Sequence, residues 1–232
     1  AVVNCAAMTD VDGCERDSER ALAVNGRAPG MIAETCSRAD TQFVQLSTDY
    51  VFDGSASTPY TEQAETNPRQ IYGESKLEGE IRVRSANSDA LVLRLSFVYG
   101  RHGETGSMEG FPAWLLDAVS GGESVRVFTD QFVTPSRAGH VASTILALLD
   151  RNYSGTYHVA SRSCVSPYEF GEQLLDRLDI GHDCLEEGPL GDLDRPAERP
   201  AYTCLSTTKI EDTLDRPEPT LRDDLDAIVG SL

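Results

Sequence analysis

Short apolar runs alternating with longer stretches of helical spacing make up the first half of this chain. Ala1-Val-Val-Asn4 has the look of a buried parallel strand, and Gln42-Phe-Val-Gln-Leu-Ser47 and Ala90-Leu-Val-Leu-Arg-Leu95 repeat the pattern. Between the first two lies a polar stretch from Asp10 to Asn25. Leu22, Val24, Met31, Ile32 and Ala33 then recur at helical spacing within 18–37. Asp53-Gly54 and the Ser/Thr/Pro-rich segment to Pro68 predict a loop, and 70–83 predicts a helix whose polar positions include Lys76, Glu78, Glu80 and Arg82. Strand, helix and strand in succession imply right-handed crossovers, so the expected fold is α/β with a doubly wound parallel sheet.

Beyond Tyr99 the pattern loosens. Residues 101–110 are Gly-rich and polar, 111–119 form an amphipathic helix, 124–128 a short strand, 139–149 a helix and 156–160 a strand. Ser166-Pro167 opens a helix to 178, with Ser as N-cap and Pro at the first helical position, and 181–200 reads as a Gly-, Pro- and acid-rich loop.

With 232 residues, 40% of them hydrophobic, the chain can bury one sizeable core. It has no apolar run of about 18 residues that could span a bilayer. The apolar start lacks a basic flank and meets Asp10 and Asp12 at once, which argues against a secretory signal and makes the cytoplasm the expected location. Thirty-eight acidic against 20 basic residues give a net charge of −18, which disfavours nucleic acid or an anionic membrane as a partner. The only lysines are Lys76 and Lys209, and this acid-rich, lysine-poor balance resembles proteins of salt-loving microbes. Six cysteines without a CxxC pair are expected to be reduced and mostly buried, and the four scattered histidines lack metal-ligand spacing, so no metal is expected.

Two motifs bear chemistry. Tyr72-Gly-Glu-Ser-Lys76 places a phenol and an ammonium on one helix face, where the ammonium should lower the phenol pKa and make a tunable acid. Ser47-Thr48-Asp49-Tyr50 falls at the carboxyl end of the second strand, where open α/β sheets gather ligands. Together they resemble the extended short-chain dehydrogenase/reductase family, whose catalytic set is Ser/Thr, Tyr and Lys. Within it, Asn4-Cys-Ala-Ala7 with Thr9, Val11-Asp12 and Glu15, then Ser47-Thr-Asp-Tyr-Val-Phe-Asp-Gly54, resemble the dTDP-4-dehydrorhamnose reductases. So do Arg94-Leu-Ser-Phe-Val-Tyr-Gly100, Asp130-Gln131 with Pro135, and Arg199-Pro200 ahead of Leu205, Thr207 and Lys209. Phe97 stands where these reductases commonly carry Trp, and Met8 replaces the common Tyr before Thr9.

The resemblance implies NADPH- or NADH-dependent reduction of a nucleotide-linked 4-keto-6-deoxy sugar, with a homodimer as the expected assembly. It makes Tyr72 the proton donor, Lys76 its electrostatic partner and a ligand of the nicotinamide ribose, and Thr48 a hydrogen-bond partner of the substrate carbonyl. Ala6, Ala7 and Thr9 would line the cofactor groove; Val11, Asp12, Asp49, Tyr50 and Phe97 would face the sugar. Residues 1–100 then correspond to the remainder of a Rossmann-type dinucleotide-binding domain, its Gly-rich turn expected upstream of Ala1. Residues 101–232 are mainly a smaller substrate-binding lobe, with 124–160 returning to the Rossmann sheet. Without that turn, the chain alone is expected to bind free NAD(P)H weakly. A sugar-nucleotide epimerase or dehydratase, and a non-catalytic subunit resembling the regulatory subunit of methionine adenosyltransferase, remain open.

Overall fold

The computed structural model describes residues 1–192 and 194–230. The first apolar run forms β1 (Val2–Asn4), and the polar stretch after it holds a helix that the hydrophobic pattern does not announce, α1 (Val11–Arg16), capped by Asp10 on the Gly13 N–H. The helical spacing of 18–37 is realised in three pieces: α2 (Ser18–Ala21), a π-helical turn over Leu22–Arg27, and α3 (Ala28–Arg38). Pro29 explains the interruption, because in a continuous α-helix its ring would clash with the Asn25 carbonyl four residues back. The widened turn turns that carbonyl toward Gly79, where a Cβ would collide with it.

Next come β2 (Phe43–Thr48), a 3₁₀ turn over Asp49–Val51, α4 (Ile71–Ala86) and β3 (Leu91–Leu95). The second half contributes β4 (Val98–Arg101), β5 (Met108–Glu109), α5 (Phe111–Ser120), β6 (Val125–Phe128), β7 (Ser136–Arg137), α6 (Ala138–Asp150) and β8 (Gly155–His158). Then follow α7 (Pro167–Arg177), β9 (Leu185–Gly188), α8 (Thr208–Leu214) and α9 (Leu221–Val229). In α7, Ser166 and Glu169 cap each other's backbone N–H, the reciprocal arrangement that their spacing allows.

The main sheet is parallel with order β1-β2-β3-β8, and its register sets Thr48 opposite Leu95. On one face α3 and α4 bury Ala33, Cys36 and Val83 against Phe43 and Val92; on the other, α6 and α8 bury Val141, Ile145, Leu148 and Ile210 against Val44, Leu91 and Leu93. Helices on both faces make this the doubly wound, Rossmann-type α/β sheet. A further core, with Tyr99, Leu115, Phe170, Leu174 and Leu225, joins α5, α7 and α9 beside it.

Within 124–160, β8 joins the main sheet, but β6 does not return to it. That strand pairs in parallel with β9, inside the stretch read as loop. The Leu-Glu-Glu-Gly sequence of β9 buries only its two ends, so it shows no apolar run. The expectation of reduced cysteines also fails at one pair: Cys164 and Cys204 form a disulfide, with Cα atoms 5.6 Å apart. Their 40-residue separation hides the contact. The segment 132–133 brings them together by bridging Val133 to Val165 and Phe132 to Tyr202.

Candidate active site

The site is assembled where β2 ends. Thr48 caps the 3₁₀ turn by accepting from the Tyr50 N–H (3.2 Å), and α4 approaches that turn so closely that a Cβ on Gly73 would strike the Tyr50 carbonyl. The glycine inside Tyr72-Gly-Glu-Ser-Lys76 is therefore a packing requirement. It sets Tyr72 in the same cleft as Thr48, while the Tyr50 ring meets Tyr72 edge-on at 6.1 Å. One turn on, Lys76 directs its Nζ to the Leu46 carbonyl (2.5 Å).

A second turn places Glu80, fully buried, against Arg94 of β3 through two bonds (2.9 and 2.8 Å), the Ser47 hydroxyl (2.6 Å) and Arg84 (3.0 Å). Tyr72, Lys76 and Glu80 thus share the face of α4 turned to the sheet, and Glu80 fixes that face to β2 and β3. Glu15 of α1 accepts the Ile71 N–H (2.8 Å) at the start of α4, and Asn25 of the π turn bonds Ser75 (3.0 Å) and both backbone groups of Met8. Glu15 and Asn25 stand out in the sequence only through the family resemblance, and nothing in a lone Asn or Glu announces such partners.

Electrostatics overturn one expectation. Burial pushes the Tyr72 phenol well above its ordinary pKa; the Thr48 hydrogen bond opposes this, and the Asp49 and Tyr50 charges add to it. Burial likewise lowers the Lys76 ammonium to about 8, against the pull of Glu80 and Cys5. In the chain itself, desolvation therefore outweighs any acidifying effect of Lys76 on Tyr72.

Thr48, Asp49, Tyr50, Tyr72, Thr9, Val11 and Phe97 border one cleft of about 330 Å³. Phe97 adopts a φ of 45°, left-handed backbone that costs a non-glycine residue about 1–3 kcal/mol and tends to cluster at functional sites. Its ring packs on Phe111 (5.4 Å) and Phe170 (6.0 Å). Two residues expected to face sugar are engaged elsewhere. The Asp49 carboxylate is turned inward, 3% exposed, and Asp12 pairs with Arg199 (2.9 and 3.2 Å) while accepting the Ala197 N–H (3.1 Å). Burial would raise the Asp12 carboxyl, but Arg199 and the Ala197 N–H hold it below the usual range.

Tyr50 and Phe97 also border a second cavity of about 370 Å³, lined further by Phe111, Trp114, Phe128 and three arginines, Arg126, Arg195 and Arg199. The Arg195 guanidinium lies over the Phe128 ring at 5.2 Å. Of this lining, sequence reasoning marked only Tyr50, Phe97, Gln131 and Arg199. The remaining side chains stand on α5, β6, the start of α7 and the loop at Arg195, and only the tertiary fold brings them together.

The residues along the cleft fit the nicotinamide end of a dinucleotide. Ala6 and Thr9 are exposed beyond the end of β1, the turn between them is held by Asn25 on Met8 and by Asn4 on the Ala6 N–H (3.2 Å), and Lys76 and Tyr72 stand across from it. Small side chains leave room for a flat ring, and a buried ammonium suits ribose hydroxyls. Among the described residues no helix is long and apolar enough to cross a membrane.

Comparison with known proteins agrees with this geometry. The chain is 51% identical to the probable low-salt glycan biosynthesis reductase Agl14 of Haloferax volcanii, covering 98% of this chain and 76% of that protein. It is 35% identical to a dTDP-4-dehydrorhamnose reductase of Mycolicibacterium smegmatis, over 99% of this chain and 71% of the relative. A crystal structure of a dTDP-4-dehydrorhamnose reductase from Clostridium acetobutylicum superposes with a TM-score of 0.90 at 29% identity, covering 99% of this chain and 80% of that one. The model of the RmlD substrate binding domain matches residues 1–232, and the chain belongs to that family.

Proposed function

We propose that this protein is an NADPH- or NADH-dependent reductase of a nucleotide-linked 4-keto-6-deoxy sugar, of the kind that completes dTDP-rhamnose, working in a salt-rich cytoplasm. The observation that supports it best is the meeting of Thr48 and Tyr72 in one cleft, with Lys76 one turn further along α4, a cleft that shares Tyr50 and Phe97 with an arginine- and aromatic-lined cavity. A reduced nicotinamide, when bound, supplies a hydride to the carbonyl carbon. Tyr72 gives its proton to the carbonyl oxygen, so the ketone becomes an alcohol and the phenol a phenolate. Lys76 stabilises that phenolate and holds ribose hydroxyls; Thr48 orients the phenol. The aromatic rings suit a base, and the arginines suit a diphosphate.

Dehydration of a hexose is disfavoured. It calls for an acid and a base beside the threonine, whereas Asp49 is buried and Tyr50 follows it. The test incubates the enzyme with NADPH or NADH and a dTDP-linked 4-keto-6-deoxy sugar at high salt, and follows nicotinamide absorbance and product NMR. Stoichiometric formation of the 4-hydroxy sugar is expected. No turnover with either nucleotide, together with an effect on a partner enzyme's kinetics, would favour the regulatory-subunit alternative.

A further inference from the structure

Asp12 grips one arginine of the second cavity and leaves part of it free. A guanidinium carries five N–H donors in a fixed planar fork. In Arg199 three are spent: the Nη1 hydrogens on Asp12 Oδ1 (3.2 Å) and the Ala197 carbonyl (2.9 Å), and one Nη2 hydrogen on Asp12 Oδ2 (2.9 Å). The two that remain, on Nε and Nη2, lie side by side along one edge of the group, and none of the described residues accepts either. The segment around Arg199 is fixed on both sides. Ala197 is buried and donates its N–H to Asp12 Oδ1 (3.1 Å), while Pro200, also buried, sits so close to Gly54 that a Cβ there would strike it. The other two arginines are held more loosely, Arg126 by the exposed Asp192 and Arg195 by the Phe128 ring.

Two parallel N–H donors on one guanidinium edge match two oxygens of a phosphate, and Arg199 borders the cavity whose lining suits a nucleoside diphosphate. We infer that Asp12 is a positioning residue for the substrate's diphosphate: without touching the sugar, it holds Arg199 so that the Nε–Nη2 edge is a preset fork for two phosphate oxygens. This rests on the nucleotide-sugar reading proposed above. Two opposing effects decide the sign. The Asp12 carboxylate offsets part of the positive charge that attracts the ligand, yet by holding a long side chain before the ligand arrives it removes an ordering cost from binding. Geometry wins, because a bidentate contact needs both donors aligned at once, whereas the pull of one more charge is screened by salt. The helix α1 thereby serves both sites: its first turn borders the cleft around Tyr72 through Val11 and grips the cavity's arginine through Asp12.

The test titrates dTDP and inorganic pyrophosphate into the intact enzyme and its variants by calorimetry, and measures kcat and KM with the dTDP-linked keto sugar. Asp12→Asn is expected to weaken dTDP about tenfold and to raise the sugar-nucleotide KM by a similar factor, with kcat and the KM of the nicotinamide nucleotide within about twofold. In the Arg199→Ala background the same change should cost less than about twofold in dTDP affinity. Unchanged dTDP binding with a weakened sugar nucleotide, as a direct sugar contact would give, overturns the inference. So does tighter dTDP binding, the mark of bare charge, or an equal loss for the nicotinamide nucleotide, the mark of a disturbed α1. Should the wild type bind dTDP but turn over no sugar, the reductase reading falls while the titrations still decide the role of Asp12. Binding of neither dTDP nor pyrophosphate by the wild type overturns the inference itself. If Asp12→Asn does not fold, Arg199→Lys keeps the charge and gives up the fork. It should weaken dTDP about tenfold, and an unchanged affinity there also overturns the inference.

Discussion

The cleft around Tyr72 and the arginine-lined cavity beside it share a wall, yet they are built in opposite ways. The first rests on β2, β3 and α4, with Glu80 and Lys76 buried and each hydrogen-bonded to the sheet. The second is lined from α5, β6, the start of α7 and the loop that carries Arg195, which is exposed and held by a ring contact. Groups that move a proton must be fixed within tenths of an ångström, which regular elements provide. Groups that only bind, and move no proton, tolerate looser placement.

Four measurements would break or sharpen this contrast. Glu80→Ala leaves Arg94 buried without its carboxylate, and a stability loss of about 3–5 kcal/mol by urea titration is expected; a near-neutral result would show that the cleft does not depend on its buried pair. Tyr72→Phe should keep the fold and reduce kcat about 10²-fold, read by nicotinamide oxidation. Arg195→Ala should raise KM about tenfold with kcat little changed, the signature of uniform binding, whereas a matching fall in kcat would place the cavity within the catalytic machinery.

The smallest effect concerns Lys76. Its folded pKa of about 8 lies below its unfolded value of 10.5, so between them the unfolded chain binds more protons and stability rises with pH. Below that window the burial cost is present in full. Lys76→Met is therefore expected to exceed the wild type in denaturation midpoint at about pH 7 and to lose that margin as pH rises past about 8.

The sheet was legible because its strands are continuous apolar runs, and the helix boundaries at Ser166-Pro167 because capping chemistry is local. Thr48, Tyr72 and Lys76 were legible for a related reason, since one helix face and one strand end bring them together. The orientation of Asp49 was not, because its partners Ser96 and Thr203 lie 47 and 154 residues away. The same holds for Asp12, whose partner Arg199 is 187 residues distant. The helical spacing of 18–37 did not show the π turn that Pro29 imposes, and the capture of Met8 by Asn25 depends on tertiary contact alone. Strand β9 was missed because its register with β6 is set by neighbouring layers while its own charged residues face water.

The bond between Cys164 and Cys204 turns the stretch between them into a covalent ring that contains α7, β9 and the exposed segment around Asp194 and Arg195. A ring cut once stays in one piece. A protease entering at 194–196 would sever the backbone without releasing the fragment that carries α8 and α9, so the cleaved protein should run as one band without reductant and as two with it. In the unfolded chain the same closure of 40 residues restricts expansion by about 4 kcal/mol of loop entropy. The exposed loop that carries Arg195 can therefore be nicked without the molecule losing its far end.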